Sequence, residues 1–441
     1  MSLVRRAVAP LLVALVAGGA LGGLPVARAA PPDAAAALLA MADGIVAQVA
    51  SARGLAPKRK LQKGVLSRQA ISDRLMARIK KEYSPEDIRA EERVLKRLGL
   101  LDPAVDYEKA VVDLLMEQVA GFYDPFERKL FIADWLDASL QRPALAHEIG
   151  HALCDQHFDL RPYATPLKEE GDRQLARAAL VEGDGTAVML EFTLAEQAAD
   201  MGLQMVSDIG QLDDRFFASL SGTMGAGSMP AFDRAPRYLR ETLVFPYLEG
   251  LRFVRYVRKR QPWSAIDAIY QRPPESTEQI LHPEKYFARE RPVAVRDVPL
   301  APLKGWKRLR GETMGELQTR LWLETQLDAA TARRAAQGWG GDRLVAWEPA
   351  EGGEIAIVHL SAWDSEADAE EFFRALRRTL AQRVRQPEGE ASTRARFVVS
   401  GEAFSVEQRG ARVLALLGVP EQLLGSIAED VWRTWKAPKP N

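Results

Sequence analysis

His147-Glu148-Ile149-Gly150-His151, set in the run Pro143-Ala144-Leu145-Ala146 before it and Ala152-Leu153-Cys154 after it, decides how the rest of the chain is read. Leu145, Ile149, Ala152 and Leu153 recur at helical spacing, and Pro143 stands where a helix can begin. On a helix, two histidines four residues apart leave the same face, so their imidazole nitrogens can converge on one metal ion. The glutamate between them lies beside that metal, where a carboxylate can take a proton from water. The chain has 5 histidines, and three of them, His147, His151 and His157, fall within 11 residues. Gly150 and Ala152 are small enough to admit another backbone close by. Cys154, the single cysteine, cannot form an intramolecular disulfide and reads as packing.

A catalytic zinc ion takes three protein ligands and keeps a position open. Two residues compete to be the third. Glu182, in Leu180-Val181-Glu182-Gly183-Asp184-Gly185-Thr186, would bring a carboxylate from a second helix, its flanking glycines allowing close contact. His157 would instead complete a three-histidine site. That arrangement needs a sharp turn after the second histidine, usually at glycine, and Cys154 occupies the position at a steric cost. The comparison favours Glu182. His282, just before Pro283, is the candidate donor to an oxyanion developing during hydrolysis, with Tyr238 and Tyr247 as alternatives. His359 alternates with apolar neighbours and reads as structural.

Outward from this segment, the chain of 441 residues is 47% apolar and 27% charged, an ordinary globular composition with room for two or three domains. A net charge of -1 argues against nucleic acid or an acidic membrane surface as the main partner. Arg5 and Arg6, the apolar run over 7–24 and Ala27-Arg28-Ala29 have the form of an export signal cleaved after Ala29. An uncleaved N-terminal anchor is the alternative. No later apolar run is long enough to span a bilayer, so the mature protein is expected to be exported, periplasmic or secreted, and free of the membrane.

The expected organisation is α+β. A signal peptide covers 1–29, a helical region 30–118, a core around the zinc motif 119–295 and a C-terminal α+β domain 302–441, with Pro292, Pro299 and Pro302 marking the last boundary. Residues 121–125 and 129–132 read as two short strands around a turn. Such a strand can pair its edge with an extended peptide, or serve simply as a hairpin packed on the helix. Helices are expected at 175–180 and 186–198, on either side of Glu182-Gly183-Asp184-Gly185, and a Gly, Ser and Met-rich loop at 219–231. The C-terminal unit reads as a long helix over 314–336, a strand over 355–360 and an amphipathic helix over 367–380. Strands over 395–399 and 411–416 and a last helix near 420–435 complete it.

Gly121-Phe122-Tyr123-Asp124-Pro125, the segment from His147 to Leu160, and Glu182-Gly183-Asp184 together carry a resemblance. The chain resembles the gluzincin group of zinc metallopeptidases, the thermolysin-like class with His-Glu-x-x-His and a downstream glutamate. It is more closely similar to an uncharacterised bacterial family that shares these three motifs, over roughly residues 110–290. The resemblance implies a mainly helical zincin-like domain, one zinc ion per chain on His147, His151 and Glu182, Glu148 as general base, and a peptide or protein substrate. Thermolysin-like enzymes often place an aspartate four residues after the ligand glutamate to orient a histidine. Here Thr186 holds that place, and Asp155 or Asp184 is left to act. Two other functions compete: a non-catalytic binding or assembly protein that keeps zinc for stability, and a hydrolase of a non-peptide amide. An intact Glu148 argues against the first.

Overall fold

The computed structural model describes residues 32–119, 121–135, 138–202, 207–215, 217, 229–387 and 393–435, together with Leu12 and Val13. The rest of the expected signal peptide and most of the expected loop at 219–231 lie outside the described residues.

Helix α1 (Pro32–Arg53) turns Leu38, Ala42, Ile45 and Val49 inward, about one per turn. By length and composition its segment Ala35–Arg53 would suffice to cross a bilayer, which corrects the expectation that no later apolar run is long enough. The inward stripe and the fully buried Arg53 pack it against the protein core. Strand β2 (Gln62–Leu66) follows, inside a region expected to be wholly helical. Short polar side chains then set the helix starts. Ser67 accepts from Ala70 N at 3.3 Å to open α2 (Arg68–Glu82). Ser84 and Asp87 form a capping box at α3 (Pro85–Leu98), which Gly99 closes at φ 79°. Helix α4 (Tyr107–Gln118) is capped by Asp106.

Strands β3 (Gly121–Asp124) and β4 (Lys129–Ala133) pair antiparallel as the expected hairpin, from Gly121↔Ile132 to Asp124↔Lys129. Asp124 Oδ1 accepts from the backbone N–H of Phe126 and of Glu127, at 2.8 and 3.1 Å, and so holds the turn. β2 runs parallel to β4. On the other side β1 (Leu12–Val13) pairs antiparallel with β3, Leu12 opposite Tyr123. The sheet order is β1-β3-β4-β2.

Helix α5 (Ala138–Phe158) carries the two motif histidines and starts earlier than expected, so Pro143 lies inside it rather than at its first turn. A short α6 (Arg161–Ala164) leads to α7 (Gly171–Asp200), which runs unbroken through Glu182-Gly183-Asp184-Gly185 where two helices were expected. The reason is packing. A Cβ at Gly183 would lie 2.3 Å from the backbone carbon of Gly250, and one at Gly185 would lie 2.7 Å from His151 Cε1. The glycines cost the helix roughly 1 kcal/mol each in propensity. They serve two close approaches rather than a break. Helices α8 (Pro230–Arg234), α9 (Arg237–Arg258), α10 (Trp263–Tyr270), α11 (Thr277–Leu281) and α12 (Pro283–Ala288) follow, α9 crossing α7 at the Gly183–Gly250 contact.

The C-terminal part is a six-stranded antiparallel sheet of order β5-β6-β7-β10-β9-β8. In chain order it contains β5 (Trp306–Glu312), α13 (Gly315–Leu323), α14 (Ala329–Ala336), β6 (Trp339–Pro349), β7 (Ala356–Trp363), α15 (Glu366–Val384), β8 (Arg394–Val399), β9 (Glu402–Arg409), β10 (Arg412–Pro420) and α16 (Leu424–Thr434). The single helix expected over 314–336 is two, because Asp328 accepts from Thr331 N at 2.9 Å and starts α14 afresh. β5, β6 and β9 are additional to the expected strands. Both faces of the sheet are covered: Val358, Leu360, Leu414 and Leu416 pack with Ile427 and Val431 of α16, while Ile357, Val413 and Ala415 join Phe372 and Phe373 of α15. Central strands therefore read as apolar runs rather than alternation.

One apolar core joins Leu98, Ile149 and Leu180 to Trp322 and Phe373, so packing is continuous across the proline-marked segment at 291–302. Arg97 fastens α3 to the sheet, with Nη1 and Nη2 on Glu402 at 3.0 and 2.7 Å and Nε on the Ile355 carbonyl at 2.8 Å. The architecture is α+β, a mainly helical N-terminal region with a small mixed sheet and a C-terminal antiparallel sheet with helices.

Candidate metal centre

Helix α5 presents His147 and His151 one turn apart, and α7 crosses it with Glu182 on the facing side. His147 Nε2 lies 2.8 Å from His151 Nε2 and 3.1 Å from Glu182 Oε2, and His151 Nε2 lies 3.4 Å from Glu182 Oε2. A tetrahedral ion with bonds of about 2.0–2.2 Å separates its ligand atoms by about 3.3 Å. The three observed separations lie close to that figure. Two facing imidazole nitrogens can share only one proton, and among the described residues Glu182 Oε1 and His151 Nδ1 have no hydrogen-bond partner. The group could hold a metal ion, and its donor set, two imidazoles and a carboxylate, suits zinc.

The electrostatics follow from burial. His147 and His151 are 1% exposed and Glu182 is fully buried. Burial pushes the His147 imidazole down to about 3, against a pull from the Gly185 backbone, and pushes His151 down as well, reinforced by His147. Both are thus neutral, the form that binds metal. Burial raises the Glu182 carboxyl, and the charge of Glu148 adds to this, while a Tyr247 hydrogen bond opposes it. A bound cation would reverse the balance for Glu182.

Three further residues touch this group. Glu148, buried between the histidines, accepts a hydrogen bond at Oε2 from the Tyr123 backbone N–H of β3 at 2.7 Å. Tyr247 of α9 stacks on the His147 ring at 6.1 Å between centroids and hydrogen-bonds Glu182. Gly185, one turn after Glu182, leaves the space both imidazoles occupy; a Cβ there would lie 2.9 Å from His147 Cε1.

Behind the ligands, Asp184 is held by the fully buried Arg53, Nε to Oδ1 at 2.7 Å and Nη2 to Oδ2 at 2.9 Å, and by the Tyr270 hydroxyl at 3.0 Å. Arg53 also meets Asp267 at 2.8 Å and lies over the Trp263 ring. The network ties α1 and α10 to the helix carrying Glu182. Sequence reading missed Arg53, although it is the only basic residue in the apolar helix Pro32–Arg53.

The other sequence candidates sit elsewhere. His157 Nε2 meets the Ala56 carbonyl at 2.8 Å, so the three-histidine alternative is not assembled. Asp184 and Asp155 were the candidates for orienting a histidine. Asp184 instead binds Arg53 and Tyr270, and Asp155 accepts from the Tyr123 hydroxyl at 2.7 Å, Arg59 at 3.0 Å and Leu160 N at 2.9 Å. His282 Nε2 faces Glu316 of α13 at 2.9 Å, and the structure does not bring it to the metal group. Tyr238 lines a small cavity with Glu91, Arg310 and Gln318. His359 is fully buried in β7 between Trp322 and Phe372.

Residues 303–428 match a family described as a domain of unknown function (DUF8575). The match covers all six strands of the C-terminal sheet and leaves the metal group outside it. No curated protein and no solved structure matches the chain. Fold and site together define an α+β protein with a buried His-His-Glu group able to hold a metal ion.

Proposed function

We propose that this protein is a zinc-dependent peptidase of the gluzincin kind, acting outside the cytoplasm, with one zinc ion per chain on His147, His151 and Glu182. The observation that carries the reading is the convergence of those three side chains with Glu148 beside them, its Oε2 fixed by the Tyr123 amide. A metal retained only for stability has no use for an oriented base. Zinc bound there would acidify a water molecule and polarise a substrate carbonyl. Glu148 takes the water's proton at Oε1 and returns it to the leaving amine. Tyr247 keeps the Glu182 carboxylate in place through its hydroxyl.

Substrate binding follows from the same strand. β3 carries the Tyr123 amide, and its outer edge already accepts an extended segment, Leu12–Val13, antiparallel. An extended peptide added in that way would lie beside the base. The apolar N-terminal run, followed by an apolar helix, supports export. Among the described residues the C-terminal unit supplies none to the metal group, and it acts on substrate or partner position.

The test separates ligand from base. Purified protein should contain about one zinc per chain and cleave members of a mixed peptide library, with cleavage abolished by chelator. Glu182→Ala should weaken zinc binding by about 100-fold or more. Glu148→Gln should keep zinc while hydrolysis drops by a factor of about 100 or more. Undiminished hydrolysis in Glu148→Gln would refute the mechanism.

A further inference from the structure

A second cavity, of about 310 Å³, opens beside α11 and α12 and is lined by Arg272, Glu275, Gln279, Tyr286, Arg289 and Arg291. Three arginines therefore line one space against a single carboxylate. That carboxylate is already engaged, 3.8 Å from Arg291 and within the field of Arg177. Among the described residues, Arg272 and Arg289 have no carboxylate within ion-pair distance, whereas the exposed Arg308 and the buried Arg255 do. Arg308 reaches Glu169 and Asp297 at 2.6 and 2.7 Å, and Arg255 reaches Asp214 at 2.7 Å.

The walls are built by hydrogen bonds. The Tyr286 hydroxyl donates to the Arg272 carbonyl at 2.7 Å, Gln279 Nε2 donates to the Glu290 carbonyl at 2.5 Å, and Glu275 N donates to Gln279 Oε1 at 2.8 Å. The backbone beside the cavity is thereby pinned, and the Arg272 guanidinium is steadied over the Tyr286 ring at 5.6 Å. Like charges around one cavity repel, and an anion with several acceptor oxygens relieves the repulsion. We propose that this cavity binds a phosphate group, whose oxygens match guanidinium forks from several directions. Its volume leaves room for the group to which the phosphate is attached. Pro273 and the Tyr286 ring, both in the cavity wall, offer that group an apolar contact. The phosphate source is a free phosphate compound or a phospholipid headgroup, and the chemistry is shared.

The experiment uses the full-length protein. Calorimetric titration with inorganic phosphate and with pyrophosphate, at constant ionic strength against chloride, should give saturable binding if the source is a free compound. Co-sedimentation with phosphatidylglycerol vesicles, compared with phosphatidylcholine vesicles, should show selective binding if it is a headgroup. Whichever arm is positive should weaken at least about tenfold in Arg272→Gln/Arg289→Gln. The single Arg289→Gln, an exposed position, guards against misfolding of the double variant and should show an intermediate loss. Absence of binding in both arms overturns the assignment. So does binding that either folded variant retains at full strength.

Discussion

Two regions of this molecule bury histidine completely, and only one of them looks built for metal. In the α5–α7 crossing, His147 and His151 meet each other and a carboxylate through their Nε2 atoms. In the C-terminal sheet, His359 meets Trp322 and Phe372 edge to face, and among the described residues neither ring nitrogen has a hydrogen-bond partner. Burial depresses His147 and His359 alike, each to about 3. Burial and a lowered pKa therefore do not mark a site. Convergence does, and it requires two elements to cross closely enough for donor atoms to meet.

The comparison can be broken first at the support behind the ligands. Arg53→Met would leave Asp184 buried without its cation, with only Tyr270 and the weak Cys154 contact remaining. A loss of about 3–5 kcal/mol is expected in chemical denaturation. A loss under about 1 kcal/mol would mean the pair does not brace the α7 segment that carries Glu182.

Next comes the crossing itself. Gly185→Ala places a Cβ 2.7 Å from His151 Cε1 and 2.9 Å from His147 Cε1, so the imidazoles must shift. Zinc affinity, followed by competition with a coloured chelator, should fall by about 10–100-fold with the fold retained. Unchanged affinity would show that the imidazoles have room that the geometry denies them.

The sheet histidine is the control. His359→Leu removes a buried ring without hydrogen-bond partners, so stability should change by less than about 1.5 kcal/mol and metal content not at all. Loss of zinc in this variant would erase the distinction between the two regions.

The smallest effect concerns His282, which links the two halves. Its pKa is raised, first by the Glu316 hydrogen bond, against burial, with further help from Glu316 and Glu284 charge and opposition from Lys285. Burial also raises Glu316, so both partners hold protons more tightly in the folded state. Stability from His282 is thus fully present below its unfolded value of about 6.5 and is lost as pH rises through the raised folded value. Wild-type protein should lose more stability than His282→Gln between about pH 6 and pH 8. Parallel profiles would show that the pair contributes nothing to the coupling of the halves.

Much of the helical part was legible. The spacing of His147 and His151, the cap at Ser84 and the turn at Asp124 depend on neighbours within four residues, and the structure has each where local chemistry puts it. Glu182 was legible as a candidate, while His282 was misplaced: a histidine before proline carries no record of what it faces, and here it faces Glu316. The strands β2, β5, β6 and β9 were missed because their partners lie far along the chain or because both faces are covered, which removes the alternation that marks a strand.

By itself, then, the sequence determined that two imidazoles and a carboxylate would share one helix turn, that an apolar run opens the chain and that the fold mixes helices with sheets. Only the tertiary structure decided that Gly183 and Gly185 serve crossings, that Arg53 supports Asp184, and that β3 holds Glu148 through an amide. The physical reason is range. Helical spacing and capping are set by residues a few positions apart, whereas the approach of α5, α7 and α9 depends on which backbones a missing Cβ allows to touch, and that is settled only when all three pack.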